Sequence, residues 1–88
     1  MKVLKFGAVW CPTCLVMKPR WTNIEKELPW LETEFFDIDE NPEVAQKHQA
    51  TEPPVFIFLN KDGNEFDRMT GDISRKKLIK FLETNKNN

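Results

Sequence analysis

Apolar positions along the chain switch between two periods, and the switches predict seven elements. Val3, Leu4 and Phe6 form a short run interrupted by Lys5, which predicts a strand over residues 2–7 suited to a central position covered on both faces. Directly after it, Cys14, Met17, Trp21, Ile24 and Leu28 recur as one helical stripe, so a helix is expected over residues 12–28. Pro12 fits its first position, where the missing N–H costs nothing, and Pro19 inside it predicts a kink. Residues 32–38 read as a second strand, parallel to the first through a right-handed crossover. Asn41, as cap, and Pro42 open a short helix that carries Val44, Ala45 and His48 and ends near Gln49. The unbroken run Val55-Phe56-Ile57-Phe58-Leu59 is a buried strand entering the turn Asn60-Lys61-Asp62-Gly63. Residues 64–69 return antiparallel as a more polar edge strand. Gly71 then turns the chain into a final helix capped by Ser74, with Leu78, Phe81 and Leu82 towards the sheet and Ile79 flanking them. Asn85 to Asn88 form a frayed polar tail. The order is β-α-β-α-β-β-α, an α/β chain whose four-stranded mixed sheet is flanked by three helices.

Composition narrows the class. With 88 residues, 40% apolar and 31% charged, residues 1–88 are expected to form a single domain with a modest core. Thirteen basic residues against fourteen acidic ones leave a net charge of -1, and there is no basic run, so an electrostatic nucleic-acid binder is excluded. The apolar start is interrupted by Lys5 and then by Cys11 and Pro12, too early for a signal peptide, and no stretch reaches the length of a membrane span. The expected compartment is the cytoplasm, where paired thiols are more often catalytic or metal-binding than structural.

The chemistry concentrates in Trp10-Cys11-Pro12-Thr13-Cys14, where the first strand hands over to the first helix. Cys11 falls close to the N-cap, and the free N–H groups and dipole of a helix start favour its thiolate. The helical phase turns Cys14 inward and leaves Cys11 at the tip. Side chains three apart on a helix have Cβ atoms about 5–6 Å apart, close enough to form a disulfide after small adjustments. An outer, activated thiol and an inner, resolving one make a dithiol/disulfide couple. The competing readings are two buried free cysteines or half a zinc site. Zinc normally takes four ligands, and outside this pair only His48 and carboxylates remain, so no metal is expected. His48 itself reads as a boundary residue on the apolar side of its helix, and Trp21 and Trp30 read as packing residues.

To the cysteine motif the chain adds Pro19, Asp37-Ile38-Asp39-Glu40-Asn41-Pro42, Pro53-Pro54-Val55, Lys61-Asp62-Gly63 and Gly71. On this ordered set it resembles the thioredoxin family over nearly its whole length. The resemblance implies a minimal thioredoxin fold without the family's usual extra N-terminal strand and helix. Residues 32–38, with Phe35 and Phe36, would then be an uncovered edge, giving a monomer that admits a weak dimer through that edge. It implies a thiol-disulfide oxidoreductase in which Cys11 attacks protein disulfides and Cys14 resolves the mixed disulfide. No cofactor is implied, and electrons would come from a thioredoxin-reductase-like donor. The Pro53-Pro54 bond should be cis and face the cysteines, with the backbone at Pro53 and Val55 pairing with an extended substrate segment. Trp10 would border the thiols as a platform, Asp39 would support the site, and Pro12 and Thr13 would shape the loop between the sulfurs.

Lys5 departs from the family's pattern, since thioredoxins usually carry a buried aspartate at that offset, and Phe35 stands where a partner lysine often does. A charged Lys5 beneath the thiols would favour thiolates and make the couple more oxidising. Alternatively, it snorkels to water or pairs with a glutamate away from sulfur. Two rival functions stay open: a glutaredoxin-like, glutathione-dependent reductase, and a non-catalytic binding module using the Trp10/Pro54 surface.

Overall fold

The computed structural model describes residues 1–88. Strand β1 (Lys2–Gly7) leads into helix α1 (Pro12–Glu27), strand β2 (Glu32–Asp37), helix α2 (Pro42–Lys47), strands β3 (Val55–Leu59) and β4 (Glu65–Thr70) and helix α3 (Arg75–Thr84). Every expected element is present, in the expected order. The sheet runs β2-β1-β3-β4, with β1 parallel to β2 and the other neighbours antiparallel. β2 is therefore an edge, and Phe35 on it is 60% exposed.

The apolar runs in β1 and β3 have partners on both faces, as central strands require. Val3, Phe56 and Phe58 pack with Met17, Trp21, Ile24 and Leu28 of the α1 segment and with Leu78 and Leu82 of α3. Leu4, Phe6, Val55 and Ile57 pack on the other face with Ala45, Ala50 and Ile38. Fully burying a side chain of this size stabilises by about 1.5–3 kcal/mol, so the two clusters carry most of the fold's cohesion. Strand alternation also decides where Lys5 and Gly7 lie: on the α1 face, in line with Val3.

Loop chemistry then fixes what surrounds the start of α1. Gly71 adopts φ 82°, a left-handed value that a side chain would strain, and its N–H donates to the Pro54 carbonyl at 3.2 Å. This bond fastens the turn that precedes β3. Ser74 caps α3 as expected, its hydroxyl accepting the Lys77 N–H at 3.1 Å. Asn41 occupies the N-cap position of α2 as expected, with its carbonyl accepting the Ala45 N–H at 3.1 Å, but its side chain makes no cap bond and its amide donates instead to the Asp37 carbonyl at 3.1 Å. Asp37 explains the difference, because its Oδ1 accepts from the Asp39 and Glu40 N–H groups at 2.8 and 3.2 Å and closes a local turn ahead of the helix.

Helix α2 spans only 6 residues and relies on a tertiary strap. From β4, Arg68 donates to the His48 carbonyl at 2.9 Å and the Gln49 carbonyl at 3.1 Å, while its Nε and Nη2 hold Glu65 at 2.6 and 2.7 Å. The hydrogen bonds from Arg68 keep Glu65 below the usual carboxylate range. Losing charge-assisted bonds of this kind costs about 1.5–3 kcal/mol. Arg68→Met is therefore expected to lower the unfolding free energy by about 2 kcal/mol, read in urea as a lower midpoint at an unchanged m-value.

Candidate active site

The first turn of α1 carries N–H groups with no partner inside the helix, and sulfur fills one of them. Cys11 is the N-cap, with extended backbone (φ -94°, ψ 110°), and its Sγ accepts the Cys14 N–H at 3.1 Å. Its own N–H is held by the Ala8 carbonyl at 3.2 Å, and its carbonyl accepts the Leu15 N–H at 3.3 Å. Both thiols are free. Pro12 occupies the first helical position as expected, and α1 runs on through Pro19.

The exposure of the two sulfurs differs from the helical-phase expectation. Cys11 is only 4% exposed and belongs to the cluster of Ala8, Ala45, Ala50 and Val55, while Cys14 is the more accessible. The physical reason is that an N-cap residue is not yet helical. Its extended backbone aims the side chain back under the Ala8 to Trp10 loop and towards the α2 side of the sheet. Cys14 is pushed up to about 11, first by burial, then by its hydrogen bond to the Cys11 side chain, with the Ala8 backbone opposing. At pH 7 about one Cys14 side chain in ten thousand is thiolate.

Around this pair, most of the expected residues converge. Trp10 is 60% exposed on the loop before Cys11 and donates its Nε1–H to Asp39 Oδ2 at 2.8 Å, so the carboxylate from the β2–α2 loop holds the platform. The Pro53-Pro54 peptide bond is cis, and Pro54 shares the wall of one cavity with Cys14. Val55 is a correction: it is buried, paired with Phe6 of β1 on one side and Thr70 of β4 on the other, and presents no open backbone edge. The adjoining Pro54 carbonyl is already taken by Gly71, and Pro53 has no N–H, so the only free backbone group offered here is the Pro53 carbonyl. His48 packs near the Phe6 ring at 5.7 Å between centroids. No three His, Cys, Asp or Glu side chains come together as a metal-holding group.

The cavity, about 250 Å³, opens behind Cys14 between α1 and the sheet; Lys5, Gly7, Met17, Trp21, Phe35 and Phe56 contribute to its wall. Gly7 makes room for it: a Cβ there would stand 3.0 Å from Phe35 Cε1 and 3.6 Å from Cys14 Sγ. Of the two readings of Lys5, pairing is what occurs, since Nζ donates to Glu25 Oε2 at 2.5 Å. Yet the lysine also lines the cavity with Cys14. Glu25, Gly7 and Phe35 were not legible as site residues. For Glu25 the only sequence signal is its place beside Ile24 on the rim of the helical stripe, and nothing local points it at Lys5.

The protein's likeness to known chains agrees with this geometry. The family model described as Thioredoxin matches residues 1–84. "Thioredoxin H5" of Oryza sativa subsp. japonica is 31% identical over 84 residues, covering 96% of this chain and 62% of the relative. "Thioredoxin H5" of Arabidopsis thaliana is 35% identical over 81 residues, covering 89% of this chain and 68% of the relative. Among solved structures, the thioredoxin of Fasciola hepatica superposes with a TM-score of 0.86 at 36% identity, over 96% of this chain and 79% of that one. The chain thus spans about 62% of the rice relative's length. No helix is long and apolar enough to cross a membrane.

Burial of the Cys14 thiol has a direct readout. Labelling of Cys14 by a small alkylating reagent, followed by peptide mass spectrometry, is expected to rise about tenfold per pH unit from pH 7 and to level off only near pH 11. A labelling curve for Cys14 that levels off below pH 9 contradicts that assignment. A helix whose N-cap is a cysteine that accepts the backbone N–H of a second cysteine one turn on, a cis proline on the wall behind them and a family model matched over residues 1–84 together place this chain in the thioredoxin family.

Proposed function

We propose that this chain is a thiol-disulfide oxidoreductase acting on protein disulfides, with Cys11 as attacking thiol and Cys14 as resolving thiol. The observation that carries this reading is the hydrogen bond from the Cys14 N–H to Cys11 Sγ at the start of α1. That donor and the helix dipole favour negative charge on Cys11, while burial keeps Cys14 protonated. Ionisation rather than exposure assigns the roles.

In the exchange, Cys11 thiolate attacks one sulfur of a substrate disulfide. A Cys11–substrate bond forms, and the other substrate sulfur leaves as thiolate and takes a proton from solvent. Cys14 then loses its proton and attacks Cys11 Sγ. The Cys11–Cys14 bond forms, the second substrate sulfur departs, and the substrate has gained the two electrons the dithiol lost. The cost of the arrangement is access. With Cys11 4% exposed, a substrate approaches its sulfur past its exposed sequence neighbours Val9, Trp10 and Pro12. Trp10, held by Asp39, and the Pro53-Pro54 turn form the docking rim, with the Pro53 carbonyl as its backbone acceptor. No cofactor enters these steps; the disulfide is returned to the dithiol by a thioredoxin-reductase-like donor in a reducing compartment, the cytoplasm. The chain acts as a monomer, the β2 edge being its route to weak self-association.

Insulin-disulfide reduction with an external electron source tests this directly. The wild-type protein is expected to precipitate the insulin B chain, Cys11→Ser to lose that activity, and Cys14→Ser to accumulate mixed disulfides visible on non-reducing gels. Equal activity of Cys11→Ser and wild type refutes the assignment. Trp10→Ala is expected to weaken protein substrates by about tenfold in kcat/KM, the scale of a lost aromatic anchor, while sparing small disulfide reagents.

A further inference from the structure

The cavity beside Cys14 has a lining that the exchange steps above leave unused. Its buried wall is apolar, with Met17 and Trp21 of α1 and Phe56 of β3 set around the bare backbone of Gly7. Its mouth is made by exposed residues, Lys18 and Thr22 on α1 and Phe35 on the β2 edge. At about 250 Å³ it is smaller than the pockets that take drug-sized molecules, and it suits a single ring with a short arm.

The polar side-chain groups left open in this lining are donors. Trp21 is 2% exposed, its ring centroid lies 5.3 Å from that of Phe56, and its Nε1–H is buried without an acceptor. A buried N–H left unpaired keeps its desolvation penalty, which an acceptor brought into the cavity removes. Lys18 stands three residues before Trp21 on α1, so the two Cβ atoms are about 5–6 Å apart. Its ammonium takes part in none of the ion pairs of the fold. The other lining groups are committed: Lys5 donates to Glu25 Oε2 at 2.5 Å and the Thr22 hydroxyl to the Lys18 carbonyl at 3.1 Å. No carboxylate lines the cavity.

We propose that this cavity is a binding site for a small aromatic carboxylate, its ring against Met17, Phe35 and Phe56 and its acid group between the Trp21 Nε1–H and the Lys18 ammonium. Charge and hydrogen bonding select the acid over its relatives. An aromatic amine sets a donor against a donor and a cation against Lys18. A plain aromatic hydrocarbon fills the space and leaves the Trp21 N–H unpaired. A ligand seated there lies against Cys14, whose Sγ is 3.6 Å from where a Cβ on Gly7 would stand, so occupation shields that thiol. The binding does not depend on the dithiol exchange.

Phenylacetate is the probe, titrated into the full reduced chain and followed by proton–nitrogen correlation spectra. The Trp21 indole N–H signal, identified by its loss in Trp21→Phe, and the Gly7 amide signal are expected to shift together and to saturate at millimolar phenylacetate. Phenylethylamine on the wild-type chain, and phenylacetate on Lys18→Met, are expected to bind about tenfold more weakly, the scale of one charge-assisted hydrogen bond. Lys18 is exposed, so this variant keeps the fold, which the rest of its spectrum verifies. At saturating phenylacetate, alkylation of Cys14 is expected to slow severalfold. The site is overturned by phenylacetate that gives no saturable shift, by phenylethylamine that binds as tightly, or by an affinity that Lys18→Met leaves unchanged. Unaltered alkylation of Cys14 at saturation places the ligand elsewhere and overturns it equally.

Discussion

The structure turns on the unfilled N–H groups at the start of α1 and on the use of a sulfur atom to fill one of them. A serine or aspartate at an N-cap satisfies the same donor with oxygen and is chemically quiet. With Cys11 in that place, the bond from the Cys14 N–H at 3.1 Å caps the first turn of the helix and sets a sulfur at the positive end of its dipole. Everything nearby holds that geometry. The Ala8 carbonyl fixes the Cys11 N–H, and Pro12 starts the helix without needing a donor's partner. β1, clamped between β2 and β3, gives the loop a rigid base.

The two thiols then differ because they look into different parts of the core. Cys11, with extended backbone, is enclosed by small residues on the α2 side, where Ala45 and Ala50 leave room for a sulfur. Cys14, one helical turn on, stands over Gly7 beside a cavity whose wall includes the Phe35 ring. A side chain at Gly7 would meet that ring, so the bare position, the aromatic edge residue and the suppressed ionisation of Cys14 form one arrangement. Phe35 is exposed because its strand is an edge, and its ring also forms part of the cavity wall.

Charge inside this arrangement is managed by pairing rather than by exclusion. A lone ammonium at Lys5 would be costly so close to Trp21 and Phe56, and Glu25 offsets it across the helix–sheet interface. The lysine's methylene chain meanwhile completes the apolar wall. The same principle recurs at the far side of the sheet, where Arg68 answers the carbonyls at the end of α2 and Glu65 together.

The elements and their order were written in local patterns: helical phase in Met17, Trp21, Ile24 and Leu28, an unbroken run in β3, and turn chemistry at Gly63, Gly71 and Ser74. The cysteine pair was legible too, because its place at a helix start came with the ordered set of Pro19, Asp37 to Pro42, Pro53-Pro54-Val55 and Gly71. Tertiary structure decided what depends on direction or on a distant partner. It buried Cys11 through the backbone angle of an N-cap, enclosed Val55 between two strands, gave the Trp10 indole to Asp39 and joined Lys5 to Glu25. Periodicity records which face of its own element a residue occupies. Which atom meets it there is fixed only when elements far apart in sequence are packed together.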